Sequence, residues 1–502
     1  MASLHGPAAG RGWMKFHRPA LAVSLLFAVL HALQFVPNHW LFRTFALDLG
    51  LYTHVAYEYA HGRMADCTLF LRTPQPILAD HFDLHLMLWA PLTYLFGTWT
   101  LLIVQWTAII LGGWGMYRWL LALGGDRTLA VLGQVHFLLF FGIYSALAFD
   151  FHSNVVATMA LPWYGLAVEQ RRIRRSWWLL LFILAAKENM GLWTGAVALG
   201  LAWPYRRDRR LLQVLLGHAM ASFAWSGLII GWVMPSLSAQ GHYAAWKYPM
   251  LGSDPVEGFR TLLFHPGRVL SVLFTDTSGM PDGRAIKIEM LLLLLLSGGW
   301  AFIRRPWILF MAAPILLQKL LHADPMVWGV FGQYSIEFAP LCTLAVFGLL
   351  LSWRRRKAAL AVGVLSIIAS LSATIHTMDG SVFIEERSRQ RIYQQQHYER
   401  DLDVAQAHAI IDGIPDDATV SAQSPLLPWV ALRPKVYEFP IVRDARYLLL
   451  LPRECCWGIT PPQRDALMDT LQRSTAWRPV ALSDAVVLYQ RIDGDPSPAG
   501  HP

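Results

Sequence analysis

An α-helical polytopic membrane protein of about eleven spans, with a small α/β domain after the last span, is the fold class this sequence predicts. Three observations predict it. The 502 residues are 55% hydrophobic and include 22 Trp but only 15% charged side chains, far from a soluble composition. Apolar runs recur, among them "LAVSLLFAVLHALQFV" from Leu21 and "MLLLLLLSGGWAFI" from Met290. After residue 380 the pattern changes to frequent polar residues and short alternating runs.

The basic residues order the spans. They cluster as "RRIRR" at 171–175, "RRDRR" at 206–210, Arg304 with Arg305, and "RRRK" at 354–357, joined by Arg11, Lys15 and Arg18. A net charge of +8 built from such clusters between apolar runs is a topology signal and gives no reason to expect nucleic acid. Placing all of them on the cytoplasmic side predicts spans near 19–36, 98–121, 128–148, 153–170, 176–188, 190–204, 211–234, 286–303, 306–322, 335–352 and 358–376. The N-terminus is then cytoplasmic. The first run lacks a small-residue cleavage site, so it is expected to be a retained helix and not a signal peptide. Segments 37–97, 235–285 and the tail face outward. The organisation expected is a membrane domain over 1–376, with a large first outer loop at 37–97, and an extracytoplasmic α/β domain over 380–502.

Within the tail, "EERSRQRIYQQQHYERDLDVAQAHAIIDGIP" from Glu385 has a long helical pattern. The runs "ATVSAQ", "KVYEFP", "YLLLLP" and "AVVLYQR" are strand-like, with "PPQRDALMDTLQRS" helical between the last two. Cys455 and Cys456 are adjacent, and the four cysteines of the chain form neither a disulfide framework nor a zinc pattern. They are buried thiols or, in an oxidising compartment, a linked pair.

The first outer loop begins with Asp48 at the membrane edge. Leu49, Tyr52, Val55, Ala56 and Tyr59 follow at helical spacing, predicting a helix that ends near Gly62 and lies in the interface plane. Asp48 suits the N-cap of that helix, although Leu51 stands where a capping box needs Glu or Gln. Farther on, "ADHFDLHLMLWAPL" packs Asp80, His81, Asp83 and His85 into six residues. His81 and His85 share a face if the stretch is helical. One of the two acids can cap the next helix. A divalent ion is the alternative, because carboxylates and imidazoles are ordinary ligands, although the spacing matches no specific motif.

Two further polar groups stand at span junctions: "FDFHSN", with Asp150, His152 and Asn154, and "LAAKENMG", with Lys187 and Glu188. Ionisable residues at membrane depth persist where they line a cavity or pair with one another. Adjacent Lys187 and Glu188 point to different sides of a helix, so each needs its own partner. Gln333, Tyr334 and Glu337 in "FGQYSIEFAP" end another span; they are either site residues or the start of a helix at the interface. Asp48, Asp80, His81, Asp83, Asp150, His152, Lys187 and Glu188 are expected to line one outward-facing cavity.

The motifs "ALDLGLYTHVAYEYAHGR", "ADHFDLHLMLWAPLTYLFG", "FDFHSNVVATMALP", "AAKENMGLW" and "IPDDATVSAQSPLLPWVALRPKVYEFP" resemble a bacterial family of predicted membrane proteins, domain of unknown function 2079. More distantly, the plan is similar to glycosyltransferases of the GT-C fold, which use lipid-phosphate sugars and carry a carboxylate just after the first span. Asp48 matches that acid by position. The sequence departs from those enzymes in having a lone Asp48 instead of an Asp-Glu pair, and a single Pro91 after His85 where two prolines are usual. The resemblance implies a glycosyltransferase-like protein of the bacterial inner membrane that takes a sugar from a polyprenyl-phosphate-type donor at the outer face. Asp48 would be the base and Asp80, His81, Asp83, His85, Asp150, His152, Lys187, Glu188, Gln333 and Tyr334 would bind substrate. Lys187 would meet the leaving phosphate, and the aromatic stripe of 49–61 would line the entry from the bilayer.

Two other classes compete. A transporter of a small or lipid-linked substrate would also place acids within spans, but its site belongs near the midplane between repeated halves, and no repeat is visible. A non-catalytic envelope binding or assembly protein would use the tail to hold a partner, for which eleven spans are more than an anchor needs.

Overall fold

The computed structural model describes residues 11–64, 66, 75–244, 246–383, 386–454 and 460–492; the adjacent Cys455 and Cys456 lie outside the described residues. Helix α1 (Arg11–Trp40) runs 30 residues, about 45 Å at 1.5 Å per residue. A loop follows with α2 (Leu51–Ala60), α3 (Ile77–Asp80) and α4 (His85–Trp89). The next helices are α5 (Thr100–Gly124), α6 (Arg127–Leu138), α7 (Phe141–Ala148), α8 (Ser153–Glu169), α9 (Ile173–Leu184), α10 (Met190–Ala202) and α11 (Arg209–Leu228).

A second loop carries α12 (Pro255–Phe264) and α13 (Pro266–Phe274). Then come α14 (Gly283–Leu296), α15 (Pro306–Leu321), α16 (Phe338–Leu350) and α17 (Arg356–Asp379).

Each of the eleven expected stretches contains helix. Among the described residues, five segments are long and apolar enough to cross a membrane: Phe16–Trp40, His85–Gly124, Arg127–Ala148, Arg209–Leu237 and Arg356–Asp379. Others are shorter. The 12 residues of α9 and 13 of α10 each reach about 20 Å, less than the roughly 30 Å hydrocarbon core. They are separated by a break at 185–189 that holds Lys187 and Glu188. The expected span 128–148 is likewise broken at Leu139 and Phe140, between α6 and α7. Non-helical backbone at such depth survives only where protein or a cavity covers it. Here the Ala185 carbonyl accepts from the Leu84 N–H at 2.9 Å, so the first loop fills the break.

The tail contains α18 (Val404–Asp412), β1 (Val420–Ala422), β2 (Val436–Glu438), β3 (Tyr447–Leu450), α19 (Pro461–Arg473), β4 (Trp477–Leu482) and β5 (Val487–Arg491). The sheet order is β2-β1-β3-β5-β4, parallel among the first three and antiparallel from β3 to β4. Every strand-like run becomes a strand, and β4 is an additional one.

One expectation about the tail needs correction. The stretch from Glu385 is not one long helix: 387–403 is irregular apart from two single helical turns, and only Val404–Asp412 is α-helical. Its polar groups are used for docking on α1. Gln34 and Asn38 donate to the Arg389 carbonyl at 2.5 and 2.9 Å, and His397 Nε2 donates to the Leu33 carbonyl at 2.8 Å. Arg43 in turn donates to the His397 and Gln396 carbonyls at 2.8 and 3.0 Å.

The tail packs closely on the first loop. Phe42 and Ala46 of the first loop are buried in the same apolar cluster as Val420, Leu427 and Leu488. Trp429 stacks on His39 with ring centroids 4.3 Å apart. Buried apolar and aromatic contact of this kind fixes the tail against the membrane domain.

Candidate functional site

The loop after α1 is shaped by its partners. Ala46–Gly50 forms one π-helical turn, and α2 begins directly from Gly50 without a side-chain cap. Asp48 is therefore not a helix cap. Its Oδ1 accepts from His152 Nε2 at 3.2 Å, and its side chain stays 26% exposed while that of His152 is nearly buried.

The expected apolar stripe is present but faces inward: Leu49, Tyr52 and Val55 are buried in the main core. On another side His54 Nδ1 donates to the Ala431 carbonyl at 3.1 Å, and a Cβ on Gly50 would meet Leu427 at 2.6 Å. The stripe thus does not line an entry from the bilayer. The tail covers this helix, and its apolar side is used for packing.

Asp150, between α7 and α8, builds the platform under Asp48. Its carboxylate accepts from the Phe45 N–H at 2.9 Å and from the Leu49 N–H, on either side of Asp48. Its backbone has φ of 97°, a sparsely populated region that persists only when the surroundings impose it. Gln105 imposes it, donating to the Asp150 carbonyl and accepting from the His152 N–H, both at 2.8 Å.

The tail supplies the counter-ion. Arg389 lies 3.4 Å from Asp150 Oδ1, buried, with its guanidinium 4.8 Å from the Phe45 ring centroid. Burial pushes the Asp150 carboxyl up to about 8, against the pull of Arg389.

For Asp48 the balance is opposite. Burial opposes its charge, but His152, His81 and Lys187 outweigh that and hold its carboxyl below the usual range. Burial lowers His152 despite the facing carboxylate. The pair at neutral pH is a carboxylate accepting from a neutral imidazole, with His152 Nδ1 left without a hydrogen-bond partner among the described residues.

The group at 80–85 separates instead of sharing a helix face. His81 is extended at the end of α3, and its Nδ1 lies 3.6 Å from Glu188 Oε1. Asp80, the last residue of α3, is half-buried beside it. Asp83 accepts from Ser153 Oγ at 2.5 Å and from the His85 N–H at 2.9 Å, although α4 starts from Leu84 without a side-chain cap, and burial raises its carboxyl to about 7.

His85 starts α4 and turns away, donating Nε2–H to the Phe182 carbonyl at 2.8 Å. It belongs to the packing between α4 and α9. Glu188 accepts from the Phe82 N–H at 3.2 Å and from the Tyr243 hydroxyl at 3.4 Å. Among the described residues no three His, Cys, Asp or Glu side chains converge to hold a metal ion.

Lys187 makes no hydrogen bond or contact ion pair among the described residues. It lines a cavity of about 30 Å³ together with Asn154, Asn189, Lys319, Gln333, Tyr334 and Glu337. Glu337 accepts from Asn154 Nδ2 at 3.0 Å. It directly precedes α16 without capping it. Its charge and that of Lys187 bear on one another, as do those of Lys187 and Asp48.

The arrangement thus joins segments 48, 80–83, 150–154, 187–189 and 333–337 in one polar region, with His85 outside it. Arg389, Gln105, Ser153, Tyr243 and Lys319 are members that sequence reasoning missed. Arg389 sits in an unremarkable basic stretch, and nothing in its neighbours marks it as facing Asp150.

This is a multi-pass membrane protein whose overall fold is shared with a known membrane protein. The chain is similar over 97% of its length to 99% of ArnT from Cupriavidus metallidurans, whose crystal structure holds undecaprenyl phosphate, with a TM-score of 0.52 and 12% identity. It is more loosely similar to the apo oligosaccharyltransferase of Archaeoglobus fulgidus, at 12% identity and a TM-score of 0.43 over 85% of this chain and 65% of that one. The arabinofuranosyltransferase AftD from Mycobacteria gives 14% identity and 0.45 over 97% and 40%. The chain belongs to the family of predicted membrane proteins DUF2079, whose model matches residues 38–488. No curated protein matches the sequence.

Proposed function

We propose that this protein transfers a sugar from a polyprenyl-phosphate-type donor to a hydroxyl acceptor at the outer face of the bacterial inner membrane. The observation that carries the reading is Asp48: an accessible, ionised carboxylate just after the first helix, held by His152 and by a platform of buried hydrogen bonds, on a GT-C fold. The basic clusters between apolar runs support an orientation with the N-terminus inside and the tail outside.

In this reading Asp48 accepts the proton of the acceptor hydroxyl as its oxygen bonds to the anomeric carbon. The bond from that carbon to the phosphate oxygen breaks, and the phosphate leaves with the electron pair. Lys187, which makes no contact ion pair among the described residues, meets the charge that develops there. His152 orients Asp48, and Asp150 with Arg389 keeps the loop around it in place. Asn154, Gln333, Tyr334 and Glu337 offer hydrogen-bonding groups for sugar hydroxyls.

The test is a survey of lipid-linked sugars and surface glycans in a deletion strain and in the same strain restored with the wild-type gene. Accumulation of one lipid-linked sugar with loss of one glycan modification, reversed on restoration, supports the reading. An unchanged survey removes it.

A further inference from the structure

The second loop carries an apolar surface that the site does not use. On α12, Val256, Phe259, Leu263 and Phe264 are 59–69% exposed, and their spacing of three, four and one puts them on one helical face. On α13, Leu270 and Phe274 are 58% and 57% exposed. The protein-facing side is already occupied: Val269, Val272, Leu262 and Leu273 pack with Leu317 and Leu321 of α15. The exposed stripe is therefore a second, unpartnered face of a well-packed hairpin. Contiguous exposed apolar surface of this kind marks a binding surface.

Its position in the fold identifies what covers it. Lys287, in the second turn of α14, donates to the carbonyls of Val272 at 2.8 Å, Thr275 at 2.9 Å and Leu320 at 2.8 Å. The end of α13 is thus tied to the start of α14 and to the end of α15, so the hairpin lies where membrane helices terminate. The outward stripe continues along α14 as Ile288, Leu292, Leu295 and Leu296, each 41–54% exposed. The hairpin has one acidic residue, Glu257 in the first turn of α12, against the basic Arg260 and Arg268 farther along, all three exposed. Long basic side chains flanking an apolar face place their charge among lipid phosphates while their stems stay in the apolar layer.

We infer that the α12–α13 hairpin is a membrane-docking element whose exposed face is seated in the headgroup boundary of the bilayer. The adjoining segment contributes Val327 to the wall of the Lys187 cavity, and Trp328 stacks on Lys287, whose Nζ is 4.2 Å from the ring centroid. The hairpin therefore anchors the rim of that cavity at the lipid surface. The inference stands on the hairpin alone and does not depend on the reaction proposed above.

The test uses the full-length protein in nanodiscs of phosphatidylethanolamine and phosphatidylglycerol doped with a phospholipid that carries a photoreactive diazirine in its acyl chain. After irradiation, adducts are mapped by mass spectrometry. The expected result is labelling of 256–274 at a yield comparable to that around Leu365 and Ile368 of α17, which are 62% and 53% exposed. The double substitution Phe259→Asp, Leu263→Asp should remove labelling from the hairpin and leave that of α17. As a second measurement, a nitroxide at position 263 should collide with oxygen in preference to a water-soluble nickel chelate. An unlabelled hairpin beside a labelled α17, or a nitroxide at 263 that favours the nickel chelate, overturns the inference.

Discussion

Replacing Asp48 with Asn separates chemistry from architecture. The side chain caps no helix, so the substitution cannot act through a lost cap. Among the described residues its one side-chain hydrogen bond comes from His152 Nε2, and an amide oxygen accepts that bond as well. The stability cost is then the charge-assisted part of a single bond, about 1 kcal/mol. The cost to transfer is larger. A positioned base contributes about 10²–10⁴-fold, or roughly 3–5 kcal/mol at 1.36 kcal/mol per decade. Membranes from a deletion strain carrying wild type or Asp48→Asn would be assayed for turnover of the accumulated lipid-linked sugar. Thermal unfolding of both purified proteins in detergent gives the control. The expected pattern is a nearly unchanged melting temperature with turnover reduced at least a hundredfold. Turnover by Asp48→Asn at close to the wild-type rate would refute Asp48 as the base, whatever the fold.

Three further outcomes follow from the geometry. Arg389→Ala should lower stability increasingly as pH rises. The folded value of Asp150, near 8, lies above the unfolded value of about 3.9, so the folded state holds the proton more tightly and stability falls as pH rises between the two. Arg389 lowers the folded value; removing it extends that fall above pH 8, and melting curves of the two proteins between pH 6 and about 9 should diverge at the alkaline end. Phe42→Ala should cost about 3–5 kcal/mol and expose the tail to limited proteolysis, because Phe42 lies in the tail's own core; an uncut tail would contradict the docked arrangement. Gly191→Ala should destabilise by about 1–3 kcal/mol, since a Cβ there meets the Ser222 carbonyl oxygen at 2.2 Å and α10 would have to move off α11, which an unfolding curve reads directly.

Local pattern was enough for several features. Apolar runs marked the helices, because each run must satisfy its backbone internally to exist in lipid. The strand-like runs of the tail became β1, β2, β3 and β5, since alternation and β-branched content act within a few residues. The acid after the first helix and the polar breaks at 150–154 and 187–189 were visible as charges where hydrophobicity should prevail. Periodicity misled where the partner was distant. The stripe on α2 was legible as apolar, but whether it met lipid or protein depended on the tail, whose Leu427 closes on Gly50. The helical pattern after Glu385 yielded to hydrogen bonds with α1 that lie more than 350 residues away along the chain.

By itself the sequence determined the class of the chain, the order of its helices and the residue types available for chemistry, because hydrophobic length, alternation and charge clustering are properties of short windows. Only the tertiary structure decided which charges meet. It paired Asp48 with His152, gave Asp150 the counter-ion Arg389 and turned His85 away into the helix packing. Those outcomes depend on distance in space between groups far apart along the chain, and in a medium of low dielectric such distances settle which charges are stabilised and which are expelled.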